Sequence, residues 1–307
     1  MKGVFMNRIS TISTLQQSLG LRQISSRLTA ESERLSQEAA TGMKRDVFAE
    51  NAPGAIRSLE IRSHRSANSA FLDANRTLQG RLDSTASALT GIAELGQGFL
   101  NLSLTGAIMT DGRQVYTEQA RHALEQITDR LNATYAGEYL FSGQTTDAAA
   151  VRVVDVPPDP VTVDFLGSPT RLSARIDDTT TLTYGVNASD TSFRTMLSAI
   201  GTALNADVST MTDDQFNALR MSVATQLDAG LQQLTATRAR LGNHQRVLAE
   251  RIDSQTGLEN LYAQEILDIE GANMEETLVR LQSLEVQLRA TYEVTARMGR
   301  MSLLDYL

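Results

Sequence analysis

The sequence predicts a mainly α protein: a long helical bundle or coiled coil folded back on itself, with a discontinuous terminal-helix domain and a small β-rich insert. Three observations carry this. Apolar residues recur every seven positions over two long stretches. Four of the five prolines (Pro157, Pro158, Pro160 and Pro169) fall in one short window. Amphipathic stripes of opposite charge occupy the two ends.

The seven-residue ladders come first. One runs Phe71, Leu78, Thr85, Ile92, Phe99, with Leu82, Leu89 and Gly96 offset by four. Another runs Leu227, Leu234, Leu241, Leu248, with Leu231 and Ile252 at the same offset. Period 3.5 is the pattern of helices packed side by side. Thr85, Gly96, Arg238 and Gln245 interrupt the seams, which makes them imperfect coiled coils. Asp111-Gly112 is a turn signal between two helices. Asn51-Ala52-Pro53-Gly54 is a second break, with Pro53 placed to open the next helix.

Proline breaks helix interiors and central strands, so the proline window marks a change of structure. Around it the period is two: Val161, Val163, Phe165; Leu172, Ala174, Ile176; Leu182, Tyr184, Val186. This predicts a β-rich insert over 148–190.

At the ends, Leu21, Ile24, Leu28 and Leu35 form one stripe, interrupted by Glu31, and Leu278, Leu281, Leu284 and Leu288 form another, continued by Tyr292. The first thirty residues carry charge +4, and residues 258–307 hold four Arg against nine acids, a net −5. Opposite charge on two amphipathic stripes favours pairing them. The expected division is therefore 1–40 with 270–307 as a terminal coiled-coil assembly domain, 41–147 with 191–269 as a helical rod, and 148–190 as an outward-facing insert. An intramolecular bundle and an assembly surface both satisfy the stripes.

Composition narrows the function. The 307 residues suit about two domains and carry a net charge of −8 with no Cys, no Trp and three His. The acidic balance argues against nucleic acid. No Cys means no disulfide, thiolate metal site or cysteine nucleophile. No run approaches a membrane span, and Val4-Phe5-Met6 followed by Asn7-Arg8 is too short for a Sec-type signal. The acid-free, Ser/Thr-rich first thirty residues mimic a transit peptide but read better as an exposed helix face.

The chemistry-bearing candidates have plainer readings. Glu118 and His122 share a helix face at metal-ligand spacing, yet a third ligand is absent and Arg121 adjoins them. His64 and His244 read as solvated helix faces. Asp177-Asp178 reads as a turn and Asp213-Asp214 as a helix N-terminus, where acids suit the macrodipole. The ten methionines are scattered, which favours core filling over a binding surface. No catalytic residue, cofactor or metal is expected.

Four stretches carry a family resemblance. Arg34-Leu35-Ser36 through Ala40-Thr41-Gly42 to Asn51-Ala52-Pro53-Gly54-Ala55 is similar to an "RLS…SG" segment and the turn after it. Gly137-Glu138-Tyr139-Leu140-Phe141-Ser142-Gly143, with Thr146-Asp147, is similar to a "G-x-Y-x-F-x-G-x-x-T" signature. Arg238-Ala239-Arg240-Leu241-Gly242-Asn243-His244-Gln245-Arg246 is similar to an "R-x-x-L-G-x-x-x-x-R" helix. The fourth is the tail, Ser302-Leu303-Leu304-Asp305-Tyr306-Leu307. Together they resemble the flagellin superfamily over both flanks, roughly 250 residues, with the insert unmatched. The tail favours the hook-associated branch that joins hook to filament over filament flagellin. Two features depart from the pattern. Asp268-Ile269-Glu270-Gly271-Ala272 stands where the family has an acidic "D-x-D-x-A" run, and Gly271 there weakens a helix by about 1 kcal/mol. Met1–Phe5 has no counterpart, which leaves Met1 and Met6 both open as the start.

The resemblance implies no catalysis. It implies an extracellular structural protein of the bacterial flagellum at the hook–filament junction, exported by the flagellar type III route without a cleaved signal. The absence of Cys suits a route that passes an unfolded chain. The implied partners are the neighbouring hook-associated protein, flagellin, further copies of the chain and a cytoplasmic export chaperone, with no nucleic acid and no membrane insertion. It also implies terminal helices that order on assembly. The expected seam is Ile24, Leu28, Leu35, Leu278, Leu281, Leu284 and Leu288, and the motif residues are Tyr139, Phe141, Gly143, Arg238, Leu241, Gly242, Arg246, Ser302 and Leu307. Filament flagellin and a cytoplasmic coiled-coil scaffold are the alternatives.

Overall fold

The computed structural model describes residues 3–105, 112–156 and 159–304, with side chains given for 16, 19–105, 112–156 and 159–297. Met1, Asp111, Pro157, Pro158 and Leu307 therefore lie outside the described residues, and so do the side chains of Met6 and Ser302.

Seven helices and six short strands follow in order among the described residues: α1 (Gly3–Thr41), α2 (Val47–Glu50), α3 (Ala52–Thr105), α4 (Gly112–Leu131), β1 (Thr134–Tyr135), β2 (Glu138–Tyr139), β3 (Val151–Val154), β4 (Thr162–Phe165), β5 (Leu172–Arg175), β6 (Thr181–Tyr184), α5 (Thr191–Leu204), α6 (Asp213–Glu270) and α7 (Met274–Leu304). The mainly α class is as predicted. The chain divides into two units, one of residues 1–66 with 258–307 and one of residues 67–257.

In the 67–257 unit the ladders are the core. Leu82, Leu89, Ile92 and Phe99 on α3, and Leu227, Leu234, Leu241 and Leu248 on α6, are all buried. The two helices run antiparallel, with Gln245 donating to Asp83 at 2.7 Å and Arg238 to Thr90 at 3.2 Å. The polar interruptions thus tie the seam rather than break it. Gly96 has a steric reason, since a Cβ there would lie 2.5 Å from Met196 Cε and 3.1 Å from Leu231 Cδ2. On α6 a Cβ at Gly230 would lie 2.5 Å from Met196 Cγ. Two glycines on facing helices therefore open the notch that α5 fills with Met196, which is fully buried. α4 closes the layer with Tyr116, Ala120, Leu124, Ile127 and Leu131.

The insert is two separate antiparallel hairpins, β3–β4 and β5–β6, not one sheet. Sequence reading placed the later strands but missed β3, because Val151-Arg152-Val153-Val154 lies ahead of the prolines and lacks a clean alternation. The segment assigned to the rod from residue 191 begins with the separate helix α5, whose Phe193, Met196, Leu197 and Ile200 are buried. Thr212 and Gln215 then open α6 as a reciprocal capping box, Gln215 Oε1 accepting from the Thr212 N–H at 2.8 Å.

Candidate assembly interface

The 1–66 and 258–307 unit joins the two ends of the chain. Gly42 stops α1, its N–H reaching Glu38 O at 2.8 Å. The chain then pairs with the break after α6: Met43 bridges Gly271, the Lys44 N–H donates to Glu270 O at 2.8 Å, and the Ala272 N–H to Gly42 O at 2.9 Å. Gly271 is not inside a helix, contrary to the sequence reading. It sits between α6 and α7, where a Cβ would meet Leu267 O at 2.4 Å. Asn273 caps the new helix, accepting from the Glu276 N–H at 3.3 Å, and Glu275 and Glu276 in its first turn complement the helix N-terminus.

Ion pairs lock this corner. Arg34 reaches Glu31, Glu38 and Glu50 at 2.5–2.9 Å. Glu38 is buried and also accepts from the Arg45 N–H at 3.1 Å. The hydrogen bond from Arg34 pulls the Glu31 carboxyl below its ordinary value, against burial, and the same bond raises the Arg34 guanidinium. Glu270 accepts from Arg62 and Ser58, and the Arg62 bond lowers its carboxyl against burial. Asp46 caps α2 through the Ala49 N–H at 2.9 Å, and Asn51 accepts from the Gly54 N–H at 3.0 Å to open α3.

α1 packs against α7. Their directions are opposed, because the C-terminal end of α1 meets the N-terminal end of α7. The expected seam residues divide into two sets. Leu35 is 2% exposed, and Leu28, Leu281, Leu284 and Leu288 are half-buried. Ile24 and Leu278 instead face outward, at 49% and 47% exposure. On α1 the less exposed positions run Leu21, Ser25, Leu28, Ser32, Leu35, a helical stripe that passes Ile24 on its flank. Among the described residues no ion pair joins α1 to α7. Among the described residues the partners of Arg34 all come from the N-terminal side.

Apolar accounting separates the units. Of the 39 buried apolar residues described, only Leu35, Ala55, Ile61 and Ile266 belong to the terminal unit. The same unit holds 14 of the 19 exposed large apolar residues described, including Leu19, Ile24, Leu278, Val279, Val286 and Val294. Exposed apolar surface concentrated in this way marks an interaction site.

The motif residues Tyr139, Phe141, Gly143, Arg238, Leu241, Gly242 and Arg246 fall at distinct structural points of the other unit. Tyr139 pairs with Thr134 across a two-residue turn at Ala136-Gly137, both with positive φ, and its carbonyl accepts from Arg81 at 3.0 Å. Phe141 is buried edge-on to Phe193 at 6.0 Å. Gly143 has φ +63°, and a Cβ would meet Ser168 O at 2.2 Å, so no other residue fits. Arg238, Gly242 and Arg246 are exposed along α6 while Leu241 is buried.

The chemistry candidates resolve as structural parts. Glu118 and His122 are exposed, with His122 Nδ1 3.8 Å from Glu125. No group of three His, Cys, Asp or Glu among the described residues is placed to hold a metal. Asp177 shapes the β5–β6 turn, accepting from the Thr179 and Thr180 N–H groups at 2.7 and 2.6 Å and pairing with Arg251 at 3.0 Å. Asp213 pairs with Arg113. His64 is exposed and stacks on Tyr262, but His244 is half-buried, contrary to its reading as a solvated position. No described helix is long and apolar enough to cross a membrane.

Long helices whose ends are joined, with apolar surface left unburied at the joined ends, define the class: a helical protein built to pack on other chains. The profile for the bacterial flagellin N-terminal helical region matches residues 12–146, and that for the bacterial flagellin C-terminal helical region matches residues 224–307. The chain belongs to the flagellin superfamily. It is 31% identical to a flagellin of Brucella melitensis over 172 residues, which is 54% of this chain and 58% of that flagellin. Its fold is similar to that of a Vibrio parahaemolyticus protein assigned as flagellar hook-associated, with a TM-score of 0.62 at 16% identity, covering 72% of this chain and 99% of that one.

Proposed function

We propose that the chain is a hook-associated structural protein of the bacterial flagellum that joins hook to filament, assembling through α1 and α7. The observation that carries this reading is the apolar imbalance of the terminal unit, where among the described residues four apolar side chains are buried and fourteen large ones are exposed. Such a unit is poorly stabilised alone and gains its packing from neighbours. Residues 1–40 with 270–307 form the assembly part, residues 41–147 with 191–269 the rod, and the 148–190 insert faces outward. Ile24 and Leu278 make contacts between chains, while Leu28, Leu35, Leu281, Leu284 and Leu288 hold α1 to α7. The partners are the preceding hook-associated protein, flagellin, further copies and an export chaperone inside the cell. The protein acts outside the cell, reaches its place without a cleaved signal, and has no catalytic role.

The Brucella melitensis flagellin match supports a second reading, filament flagellin. Labelling on sheared flagella separates the two. A thin zone at the hook–filament boundary is expected, and label along the whole filament assigns the chain to the filament. A deletion strain should release flagellin monomers while hooks remain, and normal filaments in that strain would overturn the junction role.

A further inference from the structure

Arg171, Arg240 and His244 line one small cavity beside α6, closed by Gly185, Val186, Thr237 and Leu241. No acid lines it in a chain whose net charge is −8. Val186, Thr237 and Leu241 are buried, while Arg171 and His244 are half-buried and Arg240 is exposed. Asp190, outside the lining, pairs with Arg171 at 3.4 Å. Among the described residues Arg240 bonds only the Thr237 hydroxyl, at 3.1 Å. Burial lowers the His244 imidazole from its ordinary value, and the charges of Arg171 and Arg240 lower it further.

We infer that this cavity binds a tetrahedral oxyanion of the phosphate or sulfate class. Its volume, about 10 Å³, seats a single oxygen and not a whole ligand. A tetrahedral anion that places one oxygen there keeps three at the mouth, enough for both guanidinium groups and the His244 ring. A planar carboxylate keeps one. Bound negative charge offsets the two guanidinium charges that disfavour a charged His244, so His244 takes up a proton as the anion binds.

The test is proton NMR of the histidine Cε1–H signals in the full chain, titrated with pH at constant ionic strength in chloride, acetate, sulfate and phosphate. Only three signals are involved, and His64 and His122 are internal controls. Phosphate and sulfate should raise the His244 midpoint by about one unit in a saturable way, with His64 and His122 unmoved. Arg240→Gln, at an exposed position, should weaken the apparent affinity about tenfold with an unchanged thermal midpoint, and Arg171→Lys should weaken it while keeping the charge. An acetate effect equal to that of phosphate, equal movement of all three histidines, or an Arg240→Gln protein that responds as the parent does would each overturn the assignment.

Discussion

Asn75 and Gln255 meet in the buried seam between α3 and α6, with Asn75 Nδ2 2.9 Å from Gln255 Oε1, and both amides donate to the Ile176 carbonyl, at 2.8 and 3.0 Å. Two helices far apart in sequence and the β5–β6 turn are thereby tied at one oxygen. Asn75→Ala leaves Gln255 and that carbonyl short of a partner in a buried site, which destabilises the fold by about 1–3 kcal/mol. Urea unfolding checks the magnitude. Faster proteolysis within residues 172–184 checks that the hairpin is what loosens.

Gly96 and Gly230 both border Met196 but differ in what can yield. At Gly96 the clash is with Met196 Cε, the free end of a flexible chain. At Gly230 it is with Met196 Cγ, while the α5 backbone lies at 3.2–3.3 Å. Alanine in a helix gains about 1 kcal/mol over glycine, and overpacking costs about 1–3 kcal/mol. Gly96→Ala should therefore be near neutral and Gly230→Ala destabilising. Equal thermal midpoints for the two variants would contradict this.

Asp177 supplies a pH response. Burial acts to raise its carboxyl, and the Thr179 and Thr180 N–H and hydroxyl groups outweigh it, holding the group at about 2 against an ordinary 3.8. A depressed carboxylate stabilises the fold above the unfolded value and loses that contribution as pH falls to the folded one. The β5–β6 turn should therefore hold steady above about pH 5 and loosen between about pH 4 and 2. Amide exchange at Thr179 and Thr180 reads this directly, and Asp177→Asn should remove most of the pH dependence in that window.

Positions on α1 and α7 should respond by where they face. Ile24→Asp and Leu278→Asp alter exposed side chains, so the purified chain should keep its helicity and thermal midpoint but fail to enter the hook tip. Leu284→Asp, at a half-buried position, should also block incorporation and should in addition make the ends easier for protease to reach. Assembly of either outward-facing variant at the parent level would remove those residues from the contact.

The terminal unit should also be the first part to open. With four buried apolar residues described, it has little apolar burial to offset the entropy of ordering two long helices. Limited proteolysis of the monomer should cut outside residues 67–257 first. Termini as resistant as that core would contradict ordering on assembly.

Local patterning was enough for the long helices, because a seven-residue ladder states which face is buried without reference to any partner. It was also enough for the later strands of the insert and for the break at Asn51. It did not reveal why Gly96 interrupts its ladder, since that reason is Met196 on α5, about a hundred positions away. Nor did it separate Ile24 and Leu278 from their neighbours, because residues at helical spacing read as one stripe until the line of contact with the second helix is known. The Gly271 break was misread as a weak helix position, since only the pairing of Gly42–Lys44 with Glu270–Ala272 makes it a joint.

By itself the sequence determined the helical class, the place of the insert and the family signature, all of which rest on residue type at short spacing. The tertiary structure decided which polar interruptions are ties, which stripe residues face inward, and that Arg171 comes to lie beside His244. Those depend on side chains from distant segments reaching the same few ångströms, and spacing along one segment does not encode that.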